Sequence, residues 1–488
     1  MWTSDLDSAE AFANCPDQSF RQLANKLSKM GSALPLEALE TSAGEAARLL
    51  CDWGASTVVG GRLQLEAPIT PELLTLFAPL LDVCRPGLFD TPLPGCPLQL
   101  KAGLADVVGP SWGDCEPEVL KLVAGGQGVV GAQALVSCLG EMAERLSLFT
   151  LGSNDDRVFD HDDGGEELDL GSLLGFSQRQ ETDLALSLEG AAAHLSGDRI
   201  DWNAFDGRRV RMRDLATGRE VQAPAFGVLM GEGRGLGLSG LSLTSTVGAA
   251  VWSEPEEAQR RALHELVERD AVGQFWYNRL GITILDRGVW REFIHRNCET
   301  YLDERERVTT FLRVDTDLSA HVVLAVSNER DGRGACLGAS AAPTAESAAM
   351  SALGEMLQAE LSLGLMARAH KDAPPGARLP TALRYAGNTR IAEDLGFSSA
   401  KPADIGSMGV VYGPDDLLES CIEKSLNLYA FDATRSDLAI PCVKIMSPDL
   451  CSWQPRFGKP RLFDGVIDRG WATSREDEKT FENRPFPF

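Results

Sequence analysis

Ser137-Cys138-Leu139-Gly140-Glu141-Met142-Ala143-Glu144-Arg145 is the stretch that decides how the rest of the chain is read. It lies in a run of helical periodicity from about Gly131 to Phe149, nearly encircled by Ala134, Leu135, Val136, Leu139, Met142 and Leu146. A helix apolar all round is a buried helix. Positions i and i+3 share one face, so Glu141 and Glu144 point the same way. Buried carboxylates are costly unless they are paired or bind metal.

The pattern returns twice, on helices predicted over 254–278 and 343–366. One carries Ala262-Leu263-His264-Glu265-Leu266-Val267-Glu268-Arg269-Asp270 and the other Ser351-Ala352-Leu353-Gly354-Glu355-Met356-Leu357-Gln358. A single E-x-x-E-R reads as ion pairing with neighbours. Three copies on apolar helices read as one convergent site for hard cations. Mg²⁺ suits it, taking one or two carboxylates and completing its octahedron with water and phosphate oxygens. A di-iron carboxylate bundle is the competing metal reading, but it needs E-x-x-H, and these helices carry E-x-x-E or E-x-x-Q.

Strand-like runs at 208–213, 220–230, 309–314, 320–327 and 438–446 alternate with the helices without a strict βαβ repeat. The expected class is α+β, or mixed α/β. Residues 1–118 read as a small, mostly helical accessory module, with helical spacing at 20–30, 44–53 and 71–83 and a Pro-rich linker near 85–118. A larger unit is expected over 119–488, ending in a Pro-rich tail. The acidic stretch 154–169 reads as a solvated loop, and the glycine-rich run 231–237 as a flexible turn. There is no G-x-x-x-x-G-K-[ST] and no G-x-G-x-x-G. Any nucleotide is therefore held through metal and carboxylates.

Among 488 residues, 46 basic against 71 acidic side chains give a net charge of −25, which argues against nucleic acid or an anionic membrane as partner. No apolar run reaches the roughly 18 residues of a bilayer span, and Met1-Trp2-Thr3-Ser4-Asp5 does not open a signal peptide. The 11 cysteines include no C-x-x-C pair, so neither a disulfide framework nor a structural zinc is expected. They read as small core residues in a reducing, cytoplasmic compartment.

Over roughly 119–488 the sequence strongly resembles the YcaO family. Gly125-Gly126-Gln127-Gly128 with Ala134 and Ser137-x-x-x-Glu141-x-x-Glu144-Arg145 is similar to its first signature. Ser245-Thr246-Val247-Gly248-Ala249-Ala250, Glu256-Glu257-Ala258 and Glu265-x-x-Glu268-Arg269-Asp270-Ala271 are similar to the second, and Gly338-Ala339-Ser340 with Glu355-x-x-Gln358 to the third. The resemblance implies a YcaO-type ATP-binding fold without a P-loop. It implies that Glu141, Glu144, Glu265 and Glu268 hold Mg²⁺ against the phosphates of ATP. Ser137 would contact phosphate and Glu257 the nucleoside, with Ser245, Glu355 and Gln358 completing the cofactor site. Arg145 and Arg269 would orient carboxylates or phosphates. Gln127 and Ser253 stand where the family usually has Lys and often Asn.

Trp453-Gln454-Pro455-Arg456-Phe457-Gly458, Arg461-Leu462-Phe463-Asp464 and Gly470-Trp471 resemble the family's azoline-forming branch, which makes thiazole/oxazole-modified microcins and other bacteriocins. Members typically end in a P-x-P-x-P-like tail whose terminal carboxylate lies near the active site. The sequence here ends Asn483-Arg484-Pro485-Phe486-Pro487-Phe488. The resemblance gives Pro485, Pro487 and Phe488 a catalytic place, with the Phe488 carboxylate as general base. The implied activity is ATP-dependent cyclodehydration of a ribosomally made precursor peptide, turning Cys, Ser or Thr into thiazoline or oxazoline rings. Thioamide or amidine formation on the same scaffold and a non-catalytic scaffold role are the alternatives. Residues 1–118 do not read as a complete E1-like domain. The implied partners are the precursor peptide, a separate leader-binding E1-like (ThiF-like) protein and a flavin-dependent azoline dehydrogenase.

Overall fold

The computed structural model describes residues 18–31, 33–109, 119–161, 165–187, 195–196, 199–205, 207–236, 238, 243–374, 377–397, 401–402 and 408–487. Its class is the expected mixture of helices and sheets. The three glutamate-bearing runs are helices at Gly131–Ser147, Pro255–Asn278 and Ala345–Lys371. Pro255 opens the second, where its missing N–H is no loss, and Arg279 ends it in the left-handed region at φ 60°. The third runs on to Lys371, further than its periodicity indicates. The Thr344 side chain caps its start, and Arg368, His370 and Lys371 face the negative end of its dipole.

Two larger sheets support these helices. One is five-stranded, ordered Cys336–Ala342, His321–Asn328, Val308–Val314, Ile282–Leu285 and Lys401–Pro402. Its strand at 321–328 is buried along nearly its whole length, as an unbroken apolar run requires. The other is six-stranded and contains Arg208–Asp214, Glu220–Pro224, Tyr429–Asp432, Cys442–Met446 and Ala249–Val251. The first helix packs on Val119–Gly128 and touches Ala249–Val251. The second packs on Ala249–Val251, Cys442–Met446 and Cys336–Ala342, and the third on Cys336–Ala342 and His321–Asn328. Shared strands thus hold the three helices close to one another.

Several sequence expectations change. The linker read near 85–118 contains Gly87–Asp90 and Gln99–Val108, which form one antiparallel sheet with Val119–Gly128. Pro92, Pro94, Gly95 and Pro97 fall between the first two of these strands, and their density made the whole segment read as a connection. The N-terminal helices Ser19–Met30, Thr41–Asp52 and Pro71–Cys84 match their periodicity, but a three-stranded sheet of Ala33–Pro35, Arg62–Leu65 and Ser56–Val59 accompanies them. This region shares one hydrophobic core with the first glutamate helix, from Phe20, Leu27 and Leu80 to Leu135, Cys138 and Met142.

The run at 220–230 leaves strand geometry at Ala225, and the last strand begins at Cys442, not 438. The acidic stretch is only partly solvated. Asp155 is buried and paired with Arg157, Glu167 with the buried Arg209, and Glu166 with Arg219; Asp162 and Asp163 lie outside the described residues. Buried guanidinium groups need counter-charges, and this segment supplies them. In the glycine-rich run, Glu232–Leu236 is a short 3₁₀ helix, and Glu232 is buried against Arg208.

Two glycines in the quoted stretches are required by close approach. A Cβ at Gly126 would collide with the Ala134 carbonyl of the first helix, and one at Gly338 with the backbone of Ala352 and Met356 in the third. The glycines let strand and helix backbones meet.

Candidate active site

The three helices bring Glu141, Glu144, Glu265, Glu268 and Glu355 into one electrostatic cluster. Burial pushes the Glu144 carboxyl well above its usual range, and the charges of Glu265 and Glu141 push it further. Burial does the same to Glu268, assisted by Glu355 and Glu265 and opposed by Arg269. Glu355 is pushed up to about 7, first by burial and then by Glu265 and Glu141, against Arg269. Glu265 is raised by burial, against the pull of Arg269.

Each signature stretch supplies backbone donors to one of these acids. Gly125 N–H donates to Glu141 Oε2 at 2.7 Å and Ala339 N–H to Glu355 Oε2 at 3.3 Å. The N–H groups of Gly248 and Ala249 serve Glu265, and that of Ala341 serves Glu268. The Gly/Ala-rich stretches therefore clamp the carboxylates, and the strand at Cys336–Ala342 serves acids of two helices, Glu355 and Glu268.

The arginines lie among the acids. Arg145 pairs with Glu141 and the Val123 carbonyl. Arg269 Nη2 donates to Glu265 Oε1 at 3.0 Å, and its Nε lies 3.5 Å from Glu268 Oε1. Burial opposes the charge on Arg269, yet the surrounding Glu268, Glu265 and Glu355 raise its pKa overall. Gln358 reaches over Gly125 beside Glu141. Gln127 lies over Gly354 and donates to the Ser351 carbonyl at 3.2 Å.

Ser137 and Glu257 lie on the first and second glutamate helices, and Ser245 just before the strand Ala249–Val251. Ser137 is exposed one turn before Glu141. Glu257 lies about 12 Å along the helix from Glu265 and pairs with Arg260 and Arg261 at 2.9 and 3.0 Å. The Ser245 carbonyl accepts from the buried Lys444 at 2.9 Å. Ser253 is exposed. The E-x-x-H at Glu292 to His295 lies between two short helices, Arg287–Trp290 and Arg296–Glu304; it packs on the start of the third glutamate helix, where His295 N–H meets Met350 Sδ at 3.4 Å, and not on the five acids. A cavity of about 450 Å³ is lined by residues that include Trp290, Arg305, Arg307 and Arg330 and by none of the five glutamates. Arg305 and Arg307 there already pair with Glu360, so we place the chemistry at the acids and not in this cavity.

The tail is docked as far as it is described. Pro485 is exposed, Pro487 is buried, and Phe488 lies outside the described residues. The Phe486 ring stacks on Trp453 at 4.5 Å and meets Trp276 edge-on at 4.9 Å. Sequence reasoning missed what lies beneath. Asp270, fully buried, accepts from Cys451 N–H at 3.0 Å, Gln274 Nε2 at 2.8 Å and Arg461 Nε at 2.8 Å. It ties the second glutamate helix to the segment carrying Trp453. The signal was present, since Asp270 follows Arg269 directly and Arg461 lies in the quoted C-terminal motif.

The residues fit Mg²⁺ with a phosphate ligand. Among the described residues no three His, Cys, Asp or Glu side chains converge closely enough to hold a metal by themselves. Mg²⁺ does not need this, because water and phosphate fill most of its shell. Glu268 Oε1 and Gln127 Oε1 are buried without hydrogen-bond partners, as groups awaiting a ligand would be. Five crowded carboxylates against two arginines also leave the cluster short of positive charge.

A pH dependence follows. Glu355 in the folded chain keeps its proton up to about 7, whereas its ordinary value is 4.5. The folded state therefore binds more protons than the unfolded state between these values, and stability falls as pH rises. The contribution of Glu355 is on the order of 3 kcal/mol; Glu144 and Glu268 act in the same direction. Calorimetry without nucleotide should show a melting temperature that declines from about pH 4.5 to about 7. Mg·ATP should flatten the decline, because a bound cation favours the ionised acids. A midpoint rising through that window would contradict the cluster.

Three solved structures share this fold. A heterocyclase in complex with substrate and cofactor matches at a TM-score of 0.67 and 20% identity, covering 92% of this chain and 61% of that one. YcaO from Methanopyrus kandleri bound with AMPPCP and Mg²⁺ matches at 0.51 and 19%, covering 75% and 85%. The E. coli microcin synthetase McbBCD complex with pro-MccB17 bound matches at 0.50 and 15%, covering 74% and 87%. At these identities the likeness is one of fold, and the chain spans about three fifths of the heterocyclase's length. No curated protein sequence matches significantly. No helix among the described residues is long and apolar enough to cross a membrane. The family model for YcaO cyclodehydratases, described as ATP- and Mg²⁺-binding, matches residues 125–451. That span takes in all three glutamate helices and most of the sequence, and the chain belongs to the YcaO family.

Proposed function

We propose that this chain is the ATP-dependent cyclodehydratase of a peptide-modifying system, forming thiazoline or oxazoline rings in a ribosomally made precursor. The observation that carries the reading is the convergence of five glutamates from three helices on one largely desolvated, cation-poor site, in which Glu268 is buried and the others are half-buried. Glu141, Glu144, Glu265 and Glu268 hold Mg²⁺ there. Glu355 and Gln358 complete the site, Ser137, Ser245 and Glu257 contact the nucleotide, and Arg145 and Arg269 orient the acids and phosphates. Bound Mg²⁺ supplies neutralisation of the charge on the transferring phosphoryl group.

A Cys thiol or Ser/Thr hydroxyl of the peptide attacks the preceding amide carbonyl carbon and gives up its proton. The carbonyl oxygen becomes an oxyanion and takes the γ-phosphoryl group of ATP, releasing ADP. The amide nitrogen then loses its proton, the C=N bond forms and inorganic phosphate leaves. An amide oxygen is a poor leaving group, and phosphorylation makes it a good one. The peptide loses one water, and ATP becomes ADP and phosphate. A separate E1-like protein delivers the leader peptide, and a flavin-dependent dehydrogenase oxidises the rings; both are inferred from the family resemblance. The heterocyclase solved with substrate and the McbBCD complex solved with pro-MccB17 support a peptide substrate and protein partners.

Intact mass of a co-expressed precursor peptide tests the reading. Loss of one water per ring, dependent on ATP, is expected. Exchange of oxygen for sulfur, or ATP use with the peptide mass unchanged, would overturn it.

A further inference from the structure

We infer that Trp453 is a positioning residue that couples the docked C-terminal segment to Arg269, and through Arg269 to the glutamate cluster. The inference rests on reading that cluster as the nucleotide site. The Arg269 guanidinium lies over the Trp453 ring, its Cζ 3.7 Å from the ring centroid. Over the ring, the guanidinium still reaches the carboxylates of Glu265 and Glu268 through Nη2 and Nε. A planar, delocalised cation can do both at once, and an ammonium cannot. The chain of Arg269 is long and loses rotamer freedom when held. The ring beneath it fixes where its edge points.

The tail occupies the same indole. Phe486 lies nearly parallel to Trp453, at 4.5 Å and 7°. Trp276 closes the edge of Phe486 and donates its Nε1–H to the Arg484 carbonyl at 2.8 Å. Tyr277 OH donates to the Trp453 carbonyl at 2.7 Å, and Arg484 Nη1 donates to the Tyr277 carbonyl at 2.6 Å. Trp276 and Tyr277 lie on the same helix as Glu265, Glu268 and Arg269. One rigid helix therefore carries the acids at its middle and grips the tail near its end. Trp453 is stacked on both Arg269 and Phe486. Coupling between two sites is reciprocal: a tail that steadies Trp453 steadies Arg269, and nucleotide that fixes Arg269 holds the tail.

The test needs no peptide. Affinity for Mg²⁺ with a non-hydrolysable ATP analogue is measured on the full chain, on Trp453→Ala, on a chain lacking 485–488 and on the combination. Trp453→Ala should weaken binding roughly five- to thirty-fold, the range of a desolvated cation–π contact. Trp453→Phe, which keeps a ring face, should restore most of it. The truncation should weaken binding in the full chain and add little to Trp453→Ala, the non-additivity of a shared path. Hydrogen exchange supplies a readout that a merely structural role would not move. Nucleotide should slow exchange at the amides of Arg484 and Phe486 in the full chain and not in Trp453→Ala. If Trp453→Ala fails to fold, Phe486→Ala gives the same comparison with Trp453 in place.

Unchanged affinity in folded variants, or fully additive losses, would overturn the coupling while leaving the nucleotide site intact. A full chain that binds no nucleotide would overturn the nucleotide reading itself. Coupled binding without ring formation would uphold the inference and overturn only the proposed reaction.

Discussion

Glu144→Gln and Glu268→Gln should each lower ATP turnover by roughly two to three orders of magnitude and, without nucleotide, raise the melting temperature. The two effects share one cause. Both carboxyls are forced up by burial, Glu144 further by Glu265 and Glu141 and Glu268 further by Glu355 and Glu265. Glutamine keeps the shape and removes one like charge, so the empty fold gains stability. The ion pair lost at Glu268 is a 3.5 Å contact, and Arg269 keeps its shorter bond to Glu265. On the proposed function the same substitution also removes an anionic oxygen that would hold Mg²⁺, and an amide oxygen is a poor substitute. Phosphate release and calorimetry with and without Mg·ATP measure both arms. A variant that melts lower when empty, or that keeps the full Mg·ATP-induced rise, would show that these acids serve only their arginines.

Removing Pro485–Phe488 should abolish peptide cyclisation while leaving a folded protein. The deletion strips Phe486 from Trp453 and Trp276 and uncovers an aromatic surface. Burying one such side chain contributes about 1.5–3 kcal/mol, a fraction of the stability of a chain whose described residues form five hydrophobic clusters. The melting temperature should therefore fall by a few degrees, not collapse. The loss of activity should be far larger, because the tail leads to the indole on which Arg269 lies. Peptide mass after incubation with ATP gives the answer. Undiminished ring formation by the truncated chain would remove the tail from the reaction. Phe486→Ala separates docking from chain length: if docking is the tail's contribution, it should lose most of the activity that the deletion loses.

What the sequence determined by itself was local. An apolar helix displays its periodicity within its own residues. The three E-x-x-E or E-x-x-Q helices and five strands of the two larger sheets were legible for that reason, as was the mixed class. The glycines beside them were legible as motif positions, but their task, bringing Gly126 and Gly338 against helix backbone, was not. The segment 85–118 misled because a strand's pairing partner lies outside the strand, and Pro-rich turns masked Gly87–Asp90 and Gln99–Val108.

Only the tertiary structure decided that the acids meet and feel one another's charge, which turns repeated pattern into a single site. It also decided that Arg269, Trp453 and Phe486, far apart along the chain, form one stack. Periodicity places a side chain on a face of its own helix. What that face meets depends on how distant segments close on one another, and no spacing within the chain encodes that contact directly.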